Sequence, residues 1–141
     1  MKTAIKLRSF QIGKARQPGE GLRIGATRRP PRGVSRSHWV SDGYFDVWLP
    51  VLAPSAELLR RLRGLDLDDA KDRQHFFAAY EREMRRTEAK QCIELLAVLC
   101  RNTAIAVGCY CSDESRCHRS RLKRLIENAA ADTTIGPPSR R

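Results

Sequence analysis

The sequence lacks the long apolar runs, the signal segment and the paired cysteines that are typical of membrane and secreted proteins. No apolar run approaches the roughly 18 residues of a membrane span, which argues against a membrane helix. The chain start alternates polar and apolar side chains and has no signal-peptide core. Five cysteines are an odd number, which favours reduced thiols over a disulfide framework. We therefore expect a cytoplasmic protein without a membrane partner.

Acidic residues are also scarce, because 16 Asp and Glu face 27 Lys and Arg, for a net charge of +11. The excess is uneven: residues 1–41 hold ten bases and one acid, whereas residues 42–95 hold nine bases and eleven acids. Twenty-one of the bases are arginine, whose forked guanidinium suits phosphate and carboxylate. This balance favours an anionic partner, namely a small phosphate or nucleotide, or a nucleic acid. A merely solvated arginine-rich surface fits the same composition.

Apolar periodicity predicts strands that alternate with helices along the chain. Strands are expected over residues 3–8, over residues 22–26 and over the apolar run that begins at Ala104. Helix starts are expected at Ser55, at Asp68 or Asp69 and at Thr87, with a last helix after the final strand. The third helix carries an apolar stripe, formed by Cys92, Leu95, Leu96 and Leu99.

This alternation, in a chain of 141 residues without an internal repeat, indicates one α/β domain over residues 1–130. We expect a small, mainly parallel sheet flanked by helices in Rossmann-like or flavodoxin-like layering. Residues 131–141 contain Pro, Gly, Ser and Arg and are expected to form a disordered tail.

The turn after the last strand concentrates reactive side chains. Cys109 and Cys111 follow the apolar run, and Cys117-His118-Arg119 opens the last helix. Free backbone N–H groups at a helix start attract anions and lower the pKa of a nearby thiol. On a helical wheel, His118 falls on the core stripe and Cys117 on the edge that carries arginines. We predict Cys111, Cys117 and His118 as the reactive or orienting groups.

A second basic segment, with Arg28 and Arg32, follows the strand over residues 22–26. Carboxyl ends of parallel strands meet at one edge of a sheet, where ligands usually bind. We therefore predict an anion-binding or substrate-binding site formed by Arg28, Arg32, Ser112 and Arg119. The residues identify no cofactor and no reaction.

Other interpretations of the same residues stay open. Phosphatases of the low-molecular-weight and dual-specificity kinds need Cys, five residues and Arg, but the sixth residue after Cys111 is Cys117. A thiol redox sensor would pair these two cysteines. Zinc could use Cys109, Cys111, Cys117 and His118, but neighbouring helical residues point about 100° apart and this is not a paired-knuckle spacing, so we assign no metal. A nucleic-acid-binding module would use the basic residues 1–41 and the C-terminal arginines.

Several segments together resemble a known family. Residues 22–34, LRIGATRRPPRGV, resemble the R-Φ-x-x-x-R-x-x-P-R-G pattern of the domain of unknown function 488 (DUF488) family. Residues 46–58 are similar to its D-x-W…P-S-x-E-L stretch, and residues 76–80 and 117–119 to its F-x-x-x-Y helix and C-H-R triplet. Thr27 and Pro30 stand where relatives often have Asp and Trp. The resemblance implies an α/β fold and implies no particular activity.

Overall fold

A computed structural model describes residues 4–132 of the chain. Within them lie four strands, β1 Leu7–Gln11, β2 Leu22–Gly25, β3 Val47–Trp48 and β4 Ile105–Cys109. The α-helices are α1 Ala56–Leu62, α2 Ala70–Glu83, α3 Thr87–Leu99 and α4 His118–Ala131. The expected tail over residues 131–141 lies outside the described residues, apart from its first two. None of the helices in the described part is long and apolar enough to cross a bilayer.

The strands form one parallel sheet in the order β1-β4-β2-β3. Strand β4 lies between β1 and β2, so that Ile105 pairs with Leu7 on one side and with Leu22 on the other. All five residues of β4 are buried, as its consecutive apolar side chains predict for a strand covered on both faces. The expected α/β fold with a small parallel sheet is therefore confirmed.

The two faces of the sheet are covered differently. Residues from all four helices pack against the face that presents Ile24, Ile105 and Val107. The opposite face is covered by an aromatic cluster in which Phe10, Trp39 and Phe45 are buried. The ring of Phe10 lies where a Cβ of Gly108 would be, so only glycine fits at this position of the central strand. On this face of the sheet, residues between β2 and β3 thus take the place of the second layer of helices that covers larger sheets.

The helix starts are set by local capping. The Ser55 hydroxyl accepts a hydrogen bond from the Leu58 amide at 3.0 Å, and the Asp69 carboxylate accepts one from the Lys71 amide at 3.2 Å. Both predicted starts are confirmed. The third helix differs, because Thr87 is its first residue and Arg86 occupies the cap without a side-chain hydrogen bond.

Two predicted details are wrong. The first strand covers Leu7–Gln11 instead of residues 3–8, because its register is set by pairing with β4. The stripe of α3 is displaced: Leu95 is 59% exposed and Leu99 36% exposed. The buried face of this helix is formed by Ala89, Ile93, Leu96 and Ala97.

Candidate functional site

A cavity of about 310 Å³ opens at the edge of the sheet where β2 and β4 end. Residues 27–29, directly after β2, form one side, and Cys109 to Cys111 with Arg116 to His118 form the other. The remaining wall is apolar and comes from the segment before α1, from α1, from the connection between α1 and α2, and from α2, through Pro54, Leu59, Leu62, Leu67 and Phe76. The position is the one where open α/β sheets usually bind ligands.

Four side chains next to this cavity form a thiol–imidazole cluster: Cys109, Cys111, Cys117 and His118. The ligand-type atoms of Cys109, Cys117 and His118 all lie within 4.8 Å of one another. The Sγ atoms of Cys109 and Cys111 are 4.0 Å apart, and Cys117 Sγ is 3.7 Å from His118 Nδ1. Cys111 is exposed, whereas the other three residues are buried.

Local backbone geometry brings Cys117 and His118 together. A 3₁₀ turn over Glu114–Arg116 leads into α4, and Cys117 is the N-cap, with extended φ and ψ angles of −101° and 142°. His118 is the first helical residue. Cys117 therefore precedes the helix and is only 1% exposed, in contrast to its predicted place on an arginine-bearing helix edge. The helical-wheel angle does not apply to this pair.

The imidazole of His118 is fixed by the chain leaving β2. Its Nε2 lies 2.6 Å from the carbonyl oxygen of Ala26, which can only accept, so Nε2 carries the proton. The ring also packs on Tyr80, with centroids 5.2 Å apart. Burial lowers the pKa of His118 and keeps the ring neutral. Nδ1 therefore presents a lone pair towards Cys117.

The three thiols share their protons unequally. Hydrogen bonds donated by Cys109 and Cys117 lower the pKa of Cys111, and the positive charge of Arg119 adds to this effect. The same contacts raise the pKa of Cys109 and of Cys117. Cys111, the exposed sulfur, is thus the one that most readily exists as thiolate.

The predicted anion-binding residues lie in different surroundings. Arg28 lines the cavity, but its Nε donates to Pro54 O at 3.0 Å and its Nη2 donates to Pro50 O at 2.9 Å. Arg119 is 4% exposed and donates to the carbonyl of Cys111. Its Nε has no partner among the described residues. Arg28 and Arg119 thus both hold backbone next to the site.

Arg32 and Ser112 are exposed, and neither belongs to the residues that line the cavity. Of the four predicted anion contacts, only Arg28 therefore lines it. The predicted reactive residues, in contrast, are brought together: Cys111, Cys117 and His118 all line the cavity.

Sequence reasoning missed two residues of this site. Cys109, which the sequence offers only as a possible zinc ligand, is the last residue of β4 and joins the thiol–imidazole cluster. Arg29 lines the cavity and is exposed, and its guanidinium makes no hydrogen bond or ion pair with the residues that the structure describes, although its carbonyl accepts one from Thr27 Oγ1. Arg116, also on the wall, pairs with Asp68 and Asp113. The adjacent arginines Arg28 and Arg29 are the sequence feature that could have indicated this residue. Only the tertiary contacts show that the Arg28 guanidinium is hydrogen-bonded to backbone carbonyls and that the Arg29 guanidinium is not.

Comparison with known proteins identifies the family. A family model described as the active DUF488-N3 subclade matches residues 7–130. The chain belongs to this DUF488 subclade. The match covers all four strands and nearly all of α4, so the site lies within the part shared with the DUF488-N3 family. Searches of curated proteins and of solved structures found no match.

Proposed function

We propose that this DUF488-N3 protein binds a small anionic ligand of the phosphate or nucleotide class in the cavity and acts on it through Cys111. The observation that carries the proposal is the shared location of three features: an unpartnered Arg29, an apolar wall and a group of thiols. The cavity volume of about 310 Å³ is at the lower end for small-molecule sites.

The wall chemistry supports a ligand with two parts. Leu59, Leu62 and Phe76 offer apolar surface, against which a base or another flat apolar group can pack. Arg29 can supply a forked, charge-assisted contact to a phosphate or carboxylate, because its guanidinium makes no hydrogen bond or ion pair with the described residues. Arg28 acts differently, by holding the backbone that carries part of the apolar wall.

The cluster supports chemistry beyond binding. Cys111 is the thiol that a ligand can reach, since Cys109 and Cys117 are buried. Its neighbours Cys117 and His118 lie within the same cavity wall and are placed to hold protons near it. The family description calls this subclade active and names no reaction, which agrees with a catalytic role.

Ligand binding can be tested by calorimetric titration of the protein with inorganic phosphate, with mononucleotides and with a single-stranded oligonucleotide. We expect a mononucleotide to bind, and Arg29→Ala to weaken its binding at least about tenfold, the loss of roughly 1.4 kcal/mol. Arg124→Ala is the matched control, because Arg124 is an exposed arginine on α4 outside the cavity wall.

The salt dependence separates the proposal from nucleic-acid binding. One phosphate contact gives a shallow slope of log Kd against the logarithm of the salt concentration. A polynucleotide whose phosphates contact many Lys and Arg side chains gives a steep slope. The proposal is wrong if only the oligonucleotide binds, or if Arg29→Ala binds mononucleotides as the parent does. Trp39, a candidate for stacking on a base, packs on Phe45 in the core and is only 9% exposed.

A further inference from the structure

We propose that the thiol–imidazole cluster is a zinc site, in which Cys109, Cys117 and His118 bind Zn²⁺ and Cys111 completes the coordination. From the sequence alone we assign no metal to these residues, because their spacing matches no standard zinc motif. The proposal does not depend on the binding of a small ligand, since it concerns only the four side chains of the cluster. In the zinc-bound state Cys111 is a metal ligand, so the reaction proposed above for its free thiolate belongs to the zinc-free protein.

Two distances in the cluster are close to those of a tetrahedral site. Ligands at about 2.3 Å for sulfur and about 2.0 Å for nitrogen are separated from one another by roughly 3.5 to 3.8 Å in a tetrahedron. Cys117 Sγ and His118 Nδ1 are 3.7 Å apart, and the Sγ atoms of Cys109 and Cys111 are 4.0 Å apart. The ligand atoms of Cys109, Cys117 and His118 all lie within 4.8 Å of one another, so shifts of up to about 1 Å would bring these three to tetrahedral separations. Cys111, which lies next to Cys109, would move in as the fourth ligand.

The imidazole is prepared for a metal. Because Nε2–H donates to the Ala26 carbonyl, the ring is fixed in the tautomer whose Nδ1 is free to coordinate. Zinc-binding histidines regularly donate their other N–H to a carbonyl or carboxylate, which orients the ring and raises its basicity.

The ligand types favour zinc over harder cations. Three thiols and an imidazole suit Zn²⁺, whereas Mg²⁺ and Ca²⁺ prefer oxygen ligands. Burial also needs an explanation: Cys109, Cys117 and His118 are 7%, 1% and 6% exposed, and thiols are only weak hydrogen-bond donors to one another. A metal ion would satisfy all of these polar atoms at once.

The fold explains why the sequence spacing is misleading. Tyr110, between Cys109 and Cys111, is exposed, so the chain turns at the end of β4 and both sulfurs reach the same place. Cys117 lies outside α4 with an extended backbone, so it does not diverge from His118 as two helical neighbours would. The four residues therefore converge from the end of one strand and the start of one helix.

Metal titration of the reduced full-length protein tests this. After treatment with a chelator, the protein is titrated with Co²⁺ and then with Zn²⁺, and the absorption spectrum is recorded. We expect one equivalent of Co²⁺ to give tetrahedral d–d bands and a thiolate-to-cobalt charge-transfer band, and Zn²⁺ to remove both. Absence of a thiolate charge-transfer band in the parent protein would refute the site, whatever the variants do.

The metal affinities of single-residue variants show which residues are ligands. Cys117→Ser and Cys109→Ser should weaken Zn²⁺ binding at least about 100-fold, measured by competition with a chromophoric chelator. Cys111→Ser should retain Co²⁺ but lose about a third of the charge-transfer intensity, since two of three thiolates remain. Cys100→Ser is the matched control, because Cys100 is buried in the main core away from the cluster. Unchanged affinity in Cys117→Ser, with circular dichroism showing a folded protein, would contradict the proposal.

The same samples separate this inference from the proposed function. Mononucleotide binding is measured on the chelator-treated and on the zinc-loaded protein. A protein that binds the nucleotide but not Co²⁺ refutes the metal site alone, and one that binds Co²⁺ but no ligand of the panel refutes the cavity proposal alone.

Discussion

Replacement by alanine should affect different properties of the protein at the neighbouring arginines Arg28 and Arg29. The Arg28 guanidinium donates to Pro54 O at 3.0 Å, to Pro50 O at 2.9 Å and to Ala53 O at 3.3 Å. These carbonyls belong to the segment that leads into α1 and forms part of the cavity wall. We therefore expect Arg28→Ala to lower the free energy of unfolding, and Arg29→Ala to lower ligand affinity.

The size of the effect follows from these contacts. A buried hydrogen bond from a charged donor contributes about 1.5 to 3 kcal/mol. Arg28 is only half-buried, so water can replace part of each bond, and we take about 1 kcal/mol for each of the two short ones. Arg28→Ala should then cost about 2 kcal/mol of unfolding free energy. Arg29→Ala should stay within about 0.5 kcal/mol, as is usual for an exposed side chain.

Urea unfolding followed by circular dichroism measures the difference. With a denaturant slope of about 2 kcal/mol per molar, Arg28→Ala should unfold at a midpoint roughly 1 M lower than the parent. Arg28→Lys keeps the charge but cannot form the forked set of hydrogen bonds, so its urea midpoint should lie between those of Arg28→Ala and the parent protein. Equal midpoints for Arg28→Ala and Arg29→Ala would show that the carbonyl contacts contribute nothing, and the inferred division of roles would fail.

Two further predictions concern the core. Burial alone would raise the pKa of Glu20, but the hydrogen bond from Arg23 and its positive charge outweigh it, so the pKa is lowered. This contribution is complete above the unfolded-state pKa of about 4.5 and is lost as the pH falls through the folded-state value. In urea unfolding at acidic and neutral pH, Glu20→Gln should be less stable at neutral pH and should lose less stability on acidification. Gly108→Ala should cost about 2 to 3 kcal/mol in the same assay, because its Cβ would overlap the Phe10 ring, whereas Gly64→Ala should be nearly neutral; equal losses would contradict the overlap.

Much of the fold could be predicted from local signals. The consecutive apolar residues of β4 and the capping residues Ser55 and Asp69 carry their own structural information, and these predictions are confirmed. The face of α3 could not be predicted in this way. Both Leu95 and Leu96 belong to helical apolar stripes, and only packing of α3 on α4 decides that Leu96 is buried and Leu95 exposed.

The predicted reactive residues lie together at one cavity, but which other residues join them depends on tertiary contacts. The convergence of Cys111, Cys117 and His118 follows from their position after β4, which the sequence predicts. The roles of the arginines cannot be predicted from the sequence, because the Arg28 guanidinium donates hydrogen bonds to carbonyls that lie 22 to 26 residues further along the chain. No periodicity or spacing encodes such a contact.

The hydrogen bond between His118 and the Ala26 carbonyl connects the halves of the proposed function. Ala26 continues β2 towards Arg28 and Arg29, whereas His118 begins α4 and belongs to the thiol–imidazole cluster. The two residues are 92 positions apart, so this contact exists only because β2 and β4 are parallel neighbours that end at the same edge. The backbone that leads to Arg29, the proposed anion contact, is therefore held close to the sulfur atoms. A ligand whose anionic group binds Arg29 would present its other end to Cys111, which is the arrangement that a thiol-based reaction requires.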